Sequence, residues 1–123
     1  SNGIFVLINN NDAVDSEGGS KGNDIWAARI AVAMNAKRLV IGTDVDGLLG
    51  KDNNLIKRVR EINENSMSLC RMDGKISVGG MHAKLDAASL CLKSHIPVII
   101  GNLKKHGLVK LMDNSEIRTL IKK

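Results

Sequence analysis

Three short apolar runs constrain this chain most: Ile4-Phe5-Val6-Leu7-Ile8, Arg38-Leu39-Val40-Ile41-Gly42 and Ile96-Pro97-Val98-Ile99-Ile100. They do not alternate polar with apolar residues, as a strand with one face in water would. Continuous runs of this length fit strands covered on both faces, as in a parallel sheet. Each run stops at a polar cluster: Asn9-Asn10-Asn11-Asp12, Thr43-Asp44-Val45-Asp46-Gly47, and Gly101-Asn102. The chain's one proline, Pro97, sits near the start of its run, where a missing donor is tolerated.

The segments between the runs supply the helices. Asp15 to Gly22 reads as a loop, with Gly18-Gly19 inside it. Asn23-Asp24 then opens Ile25–Met34, which is Ala-rich and a good helix former. It is apolar nearly all round, which predicts a largely buried helix with Trp26 in the core. A second helix is predicted from Met81 to about Lys93, with Met81, Leu85, Ala88 and Leu92 on one core-facing stripe. Leu55–Ile62 alternates and reads as a weak edge strand, with a short helix as the alternative. Residues 63–75 read as a polar loop, Leu108–Met112 as a short helix and Arg118–Ile121 as a last strand. The order strand, helix, strand, weak strand, helix, strand argues for an α/β fold with a mostly parallel sheet. Ligands in such sheets sit beyond the carboxyl ends of the strands, where all three polar clusters fall.

Composition narrows the partners. With 123 residues the chain is one domain or part of a larger one. One Trp, one Phe and no Tyr leave the core to Ile, Val, Leu, Ala and Met. A net charge of +5 suits an anionic ligand. The bases are scattered and stacking aromatics are missing, so no nucleic-acid partner is expected. Cys70 and Cys91 have no CxxC spacing, which predicts reduced thiols in an intracellular, cytoplasmic protein and no metal-ligand set of the zinc kind. No apolar run is long enough to span a membrane.

The chemistry centres on Gly79-Gly80-Met81-His82-Ala83-Lys84, after the lead-in Lys75-Ile76-Ser77-Val78. A helix N-terminus offers N–H groups with no internal partner and the positive end of the dipole. Glycines keep Cβ atoms out of an anion's way, and Lys84, one turn in, adds a full charge. Together these make a phosphate cradle; the plainer reading is a glycine turn before a helix with a solvated lysine. Gly74 to Gly79 has P-loop glycine spacing, but Gly80-Met81 stands where Lys-Ser/Thr is required. No GxGxxG is present.

Four segments occur in a familiar order: Ile8-Asn9-Asn10-Asn11-Asp12-Ala13-Val14, Gly22-Asn23-Asp24, Thr43-Asp44-Val45-Asp46-Gly47-Leu48, and Gly79-Gly80-Met81-His82-Ala83-Lys84-Leu85-Asp86-Ala87-Ala88. In this order they resemble the gamma-glutamyl kinases (glutamate 5-kinases) of the amino acid kinase family, and also the kinase half of delta-1-pyrroline-5-carboxylate synthases. The resemblance implies a three-layer αβα, carbamate kinase-like fold, of which residues 1–123 would be the C-terminal, ATP-binding half. The family's N-terminal half has no counterpart in these residues, which implies either an excised piece or a degenerate relative, unable in both cases to turn over alone. The implied reaction is ATP-dependent phosphorylation of the L-glutamate γ-carboxylate, the first step toward proline, with Mg2+ travelling on the nucleotide and the complete enzyme a homo-oligomer. The runners-up are another amino acid kinase, acting on acetylglutamate, aspartate or a nucleoside monophosphate, and a non-catalytic nucleotide-binding module.

Carried over by position, the resemblance implies that Asp12 receives the substrate ammonium and that Asn23 also holds glutamate. Asp24 would orient the catalytic lysines. Thr43 and Asp44 would belong to the ATP site. Val78, Gly79, Gly80, Met81, His82, Ala83 and Lys84 would form the glycine-rich ATP loop, with Lys84 on a phosphate. Taken singly, each has a plainer reading: helix capping for Asn23 and Asp24, a turn for Asp44 and Asp46, an exposed acid for Asp12, and solvent for His82. The family's Asn-Glu-Asn-Asp reads Asn9-Asn10-Asn11-Asp12 here, its Gly-Asp-Asn-Asp reads Lys21-Gly22-Asn23-Asp24, and its Thr-Gly-Gly-Met reads Val78-Gly79-Gly80-Met81. Two carboxylates are lost and a lysine gained beside the implied glutamate site.

Overall fold

The computed structural model describes residues 3–7, 19–50, 53–63, 71–72, 75–76 and 80–123. Strand β1 (Ile4–Leu7) pairs in parallel with β2 (Arg38–Gly42), and β2 in parallel with β6 (Val98–Gly101). These are the three continuous apolar runs, and β2 and β6 are buried almost throughout. Strand β7 (Arg118–Ile121) then runs antiparallel to β6, and the two-residue β3 (Arg58–Val59) lies parallel to β7 at the sheet's edge. The five strands stand in the order β1-β2-β6-β7-β3. The alternating segment 55–62 thus holds an edge strand, and the alternative of a helix there falls away. A small antiparallel pair, β4 (Arg71–Met72) and β5 (Lys75–Ile76), corrects the expectation of an unbroken loop over 63–75.

Two long helices cover one face. Helix α1 spans Gly19–Ala33 and α2 spans Gly80–Lys93. Ala27, Ala28 and Ala31 of α1 pack with Leu85, Ala87, Ala88 and Cys91 of α2 over Leu39, Ile41, Val98 and Ile100 of the sheet. The opposite face carries Val40 and Ile99, covered by Leu111 and Met112 of the short helix α4 (Leu108–Asp113), which follows α3 (Leu103–His106). The result is a three-layer α/β arrangement around a mostly parallel sheet.

Helix α1 departs from expectation twice. It begins at Gly19, so residues 19–22 are helical and the predicted loop is shorter. It is also only half-buried: Trp26 is 60% exposed, and Ile30 and Met34 stand exposed one and two turns on. Trp26 is therefore not a core residue. The contact between α1 and α2 is made of alanines, whose small side chains bring the helices close and leave no room there for an indole. Trp26 instead lies on the surface beneath the Arg29 guanidinium, 5.3 Å from its ring centroid. Met81, by contrast, does pack against the core.

Both long helices end in the same way. After α1, Asn35 adopts φ 53°, and the N–H of Ala36 donates to Ala31 O at 2.9 Å. After α2, His95 adopts φ 61°, with Ile96 N–H on Cys91 O at 2.9 Å and His95 N–H on Leu92 O at 3.0 Å. This is the six-to-one and five-to-two closure that favours glycine at the left-handed position. His95 is exposed, so its ring contributes little packing. His95→Gly should raise the unfolding free energy by about 0.5–1 kcal/mol, read by urea denaturation.

Candidate functional site

Helix α1 follows β1 and α2 precedes β6, so both begin at the rim where β1, β2 and β6 end. The first turn of α2 contains no acid, while His82 and Lys84 lie within its first five residues. Backbone N–H groups and the dipole at this end act in one direction, toward an anion.

The central finding is an ion pair between the two helices. Lys84 Nζ lies 3.8 Å from Asp24 Oδ2, and both side chains are 0% exposed. Asp24 is six residues into α1, so it does not cap the helix, and Lys84 is not a solvated helix-face residue. Residues sixty positions apart in sequence thus meet through helix packing. A buried pair of this kind contributes little net stability compared with apolar replacements, yet losing one partner is costly.

The rim is closed on the other side by the segment after β2. Thr43 is buried, and its N–H donates to Gly101 O at 2.9 Å, which locks the end of β2 to the end of β6. The Asp44 side chain is exposed, while its carbonyl accepts from Asn102 Nδ2 at 3.0 Å. Asn102 also caps α3, its Oδ1 accepting from Lys105 N–H at 3.0 Å. Asp46 lies 3.7 Å from Lys105 Nζ and 3.9 Å from His106 Nε2. The turn reading of Asp44-Val45-Asp46-Gly47 holds for its shape, and polar contacts to α3 hold that shape in place. Sequence reasoning gave Asn102 only as a strand end and gave Lys105 and His106 no part. An Asn three residues before a lysine, directly after an apolar strand, was the available sign of a cap.

Gly80, Met81 and Ala83 lie in the first turn of α2, with Ala83 buried and Met81 half-buried. His82 is half-exposed, with Nδ1 at 3.4 Å from Asp86 Oδ2, so it faces its own helix neighbour. Asn23 is in α1, directly before Asp24; its side chain is outside the described residues, as are Asp12, Val78, Gly79 and Cys70. Cys91 is a free, buried thiol whose burial pushes its pKa up to about 11, leaving it protonated and unreactive at neutral pH. Among the described residues, no three His, Cys, Asp or Glu side chains group to hold a metal, and no helix is long and apolar enough to cross a membrane. Asp44 offers an exposed carboxylate at the rim, which suits a magnesium ion held mainly by nucleotide phosphates.

Comparison with known proteins agrees with this architecture. The family profile described as "Amino acid kinase family" matches residues 1–102. A glutamate 5-kinase from Thermoanaerobacter sp. (strain X514) is 34% identical over 122 residues, covering 93% of this chain and 33% of the relative. An acetylglutamate kinase from Campylobacter curvus (strain 525.92) is 37% identical over 102 residues, covering 80% of this chain and 35% of the relative. The chain spans about a third of the length of these curated relatives. Among solved structures, the carbamate kinase from Giardia lamblia bound to AMP-PNP aligns with a TM-score of 0.59 at 23% identity, covering 82% of this chain and 32% of that one. That likeness concerns the fold.

Proposed function

The chain belongs to the amino acid kinase family, and from that premise we propose that residues 1–123 are the C-terminal, nucleotide-binding half of a kinase domain that phosphorylates the γ-carboxylate of L-glutamate. The observation that carries the proposal is the buried Asp24–Lys84 pair beside the N-terminus of α2. Phosphoryl transfer needs positioning and charge stabilisation more than covalent chemistry. Lys84 supplies the charge, and Asp24 fixes its direction without acting as a base. The N–H groups at the start of α2 take phosphate oxygens. The Thr43–Asp44 segment, pinned by Gly101 and Asn102, forms the facing wall of the nucleotide site. ATP is the donor in this reading; Asp44 would help hold an Mg2+ ion carried on its phosphates, which would offset their charge. Asp12 and Asn23 bind the amino acid. The glutamate 5-kinase names among the relatives support glutamate as acceptor.

A second reading is phosphorylation of acetylglutamate, favoured by an acetylglutamate kinase at comparable identity. The two differ at the amino group: glutamate brings an ammonium for Asp12 to pair with, and the acetylated acid does not.

Two measurements test the proposal. Mg·ADP should stabilise this chain against heat, by about 2.7 kcal/mol at a hundredfold excess over Kd. A parent chain with both halves should release ADP from ATP when glutamate is added. Release with acetylglutamate alone transfers the assignment to the second reading. An absence of stabilisation at millimolar Mg·ADP removes the nucleotide site itself.

A further inference from the structure

A second cationic site stands on the other face of the sheet, away from α1 and α2. Arg38 at the start of β2, Arg118 at the start of β7 and Lys122 just beyond β7 line a pocket of about 120 Å³. Its apolar lining is Pro97, Ile99, Leu120 and Met112. The strand register explains the grouping. Leu120 lies opposite Ile99, and residues two apart on a strand share a face, so Arg118 and Lys122 flank Leu120 while Arg38 sits beside Val40.

The two arginines that line this pocket are incompletely matched. Arg118 Nη1 donates to the carbonyls of Leu111 and Met112, both at 2.6 Å, which uses one end of its guanidinium. Its Nε is buried and meets no acceptor among the described residues, and the same holds for Arg38 Nε. Leaving a buried donor unmatched costs about 1–3 kcal/mol, more beside a charge. Burial lowers the pKa of Arg118, repulsion from the Arg38 guanidinium lowers it further, and Asp113 acts against them. Among the described residues, no acid lines the pocket. Three cations and two unmatched N–H donors are a liability in an empty pocket and an asset in an occupied one.

We propose that this pocket binds a phosphate-type dianion, either as the free ion or as the head group of a small monoester. Two negative charges answer the local excess better than the single charge of a carboxylate. Tetrahedral oxygens accept from both guanidinium forks. A pocket of about 120 Å³ has room for one such group. The site shares no residue with the Asp24–Lys84 pair, so it stands or falls independently of the kinase reading.

The test is an amide-resolved NMR titration of the 123-residue chain with inorganic phosphate, methyl phosphate and acetate at matched ionic strength. Phosphate should shift the amides of Arg38, Ile99, Met112 and Leu120 to saturation, with acetate much weaker. Arg38→Gln should weaken phosphate at this site by roughly tenfold or more, since bonds to charged groups are worth ~1.5–3 kcal/mol. Arg38→Lys, which keeps the charge but loses the fork, should fall between and serves if the glutamine variant does not fold. Shifts from methyl phosphate at the same amides make an ester head group the ligand class; shifts from inorganic phosphate alone make it the free ion. The proposal is overturned if phosphate shifts only amides in Gly80–Lys84, if chloride at equal ionic strength reproduces the shifts, if acetate matches phosphate, or if the Arg38 variants bind like the parent chain.

Discussion

Lys84→Met lowers the unfolding free energy by about 3–5 kcal/mol, because Asp24 then stays buried without its lysine. The double variant Asp24→Asn with Lys84→Met recovers most of that loss, since it removes both charges together. Urea denaturation of the two variants measures both effects, and a loss below about 1 kcal/mol in the single variant contradicts the pairing. The double variant also separates fold from chemistry. It should be folded and, in a parent chain carrying both halves, devoid of phosphoryl transfer. A restored fold with full activity would leave the pair a structural device only.

Gly47→Ala is expected to be nearly as damaging, by about 3 kcal/mol, from strain at an unusual backbone angle added to overpacking. Gly47 adopts φ 155°, and a Cβ there would stand 2.5 Å from Thr119 Oγ1 and 2.9 Å from Leu55 Cδ1. Thr119 cannot step aside without loss. It is fully buried, its Oγ1 accepts from Leu48 N–H at 2.9 Å, and its hydroxyl donates to Ile56 O at 2.6 Å. One hydroxyl thus fastens the segment after β2 to β7, and Gly47 makes the room for it. Thermal unfolding of Gly47→Ala checks the size of the effect; a loss under about 0.5 kcal/mol would show that the segment is loosely held.

Much of the sheet was legible because burial on both faces writes itself as unbroken apolar runs. Val98 to Gly101 and Leu39 to Gly42 needed no partner information to be recognised. The last strand, Arg118–Ile121, was also found at its observed bounds. The start of α1 was not legible, because Gly19, Ser20, Lys21 and Gly22 have turn chemistry and become helical only as part of a longer element. The exposure of Trp26 was hidden for a related reason. Apolar residues surround that helix, and only the identity of its neighbour decides which of them are covered. The neighbour is α2, and it accepts alanines. At the site, the letters placed Asp24 and Lys84 on two helices, but only packing shows that the charges meet. The Arg38–Arg118 pocket left no trace in the letters, since it depends on the register of two strands eighty residues apart in sequence.

The reversal of β7 against β6 has a practical consequence. Ile121 lies opposite Val98, the first residue of β6, so the polypeptide leaves the sheet beside Pro97 and away from Thr43 and Asn102. A fluorescent tag or surface tether joined after Lys123 would therefore hang from the far pole of the molecule, leaving the Gly80 end of α2 open to titration by nucleotide. The same tether would crowd Lys122, so immobilised protein should report the two proposed anion sites unequally.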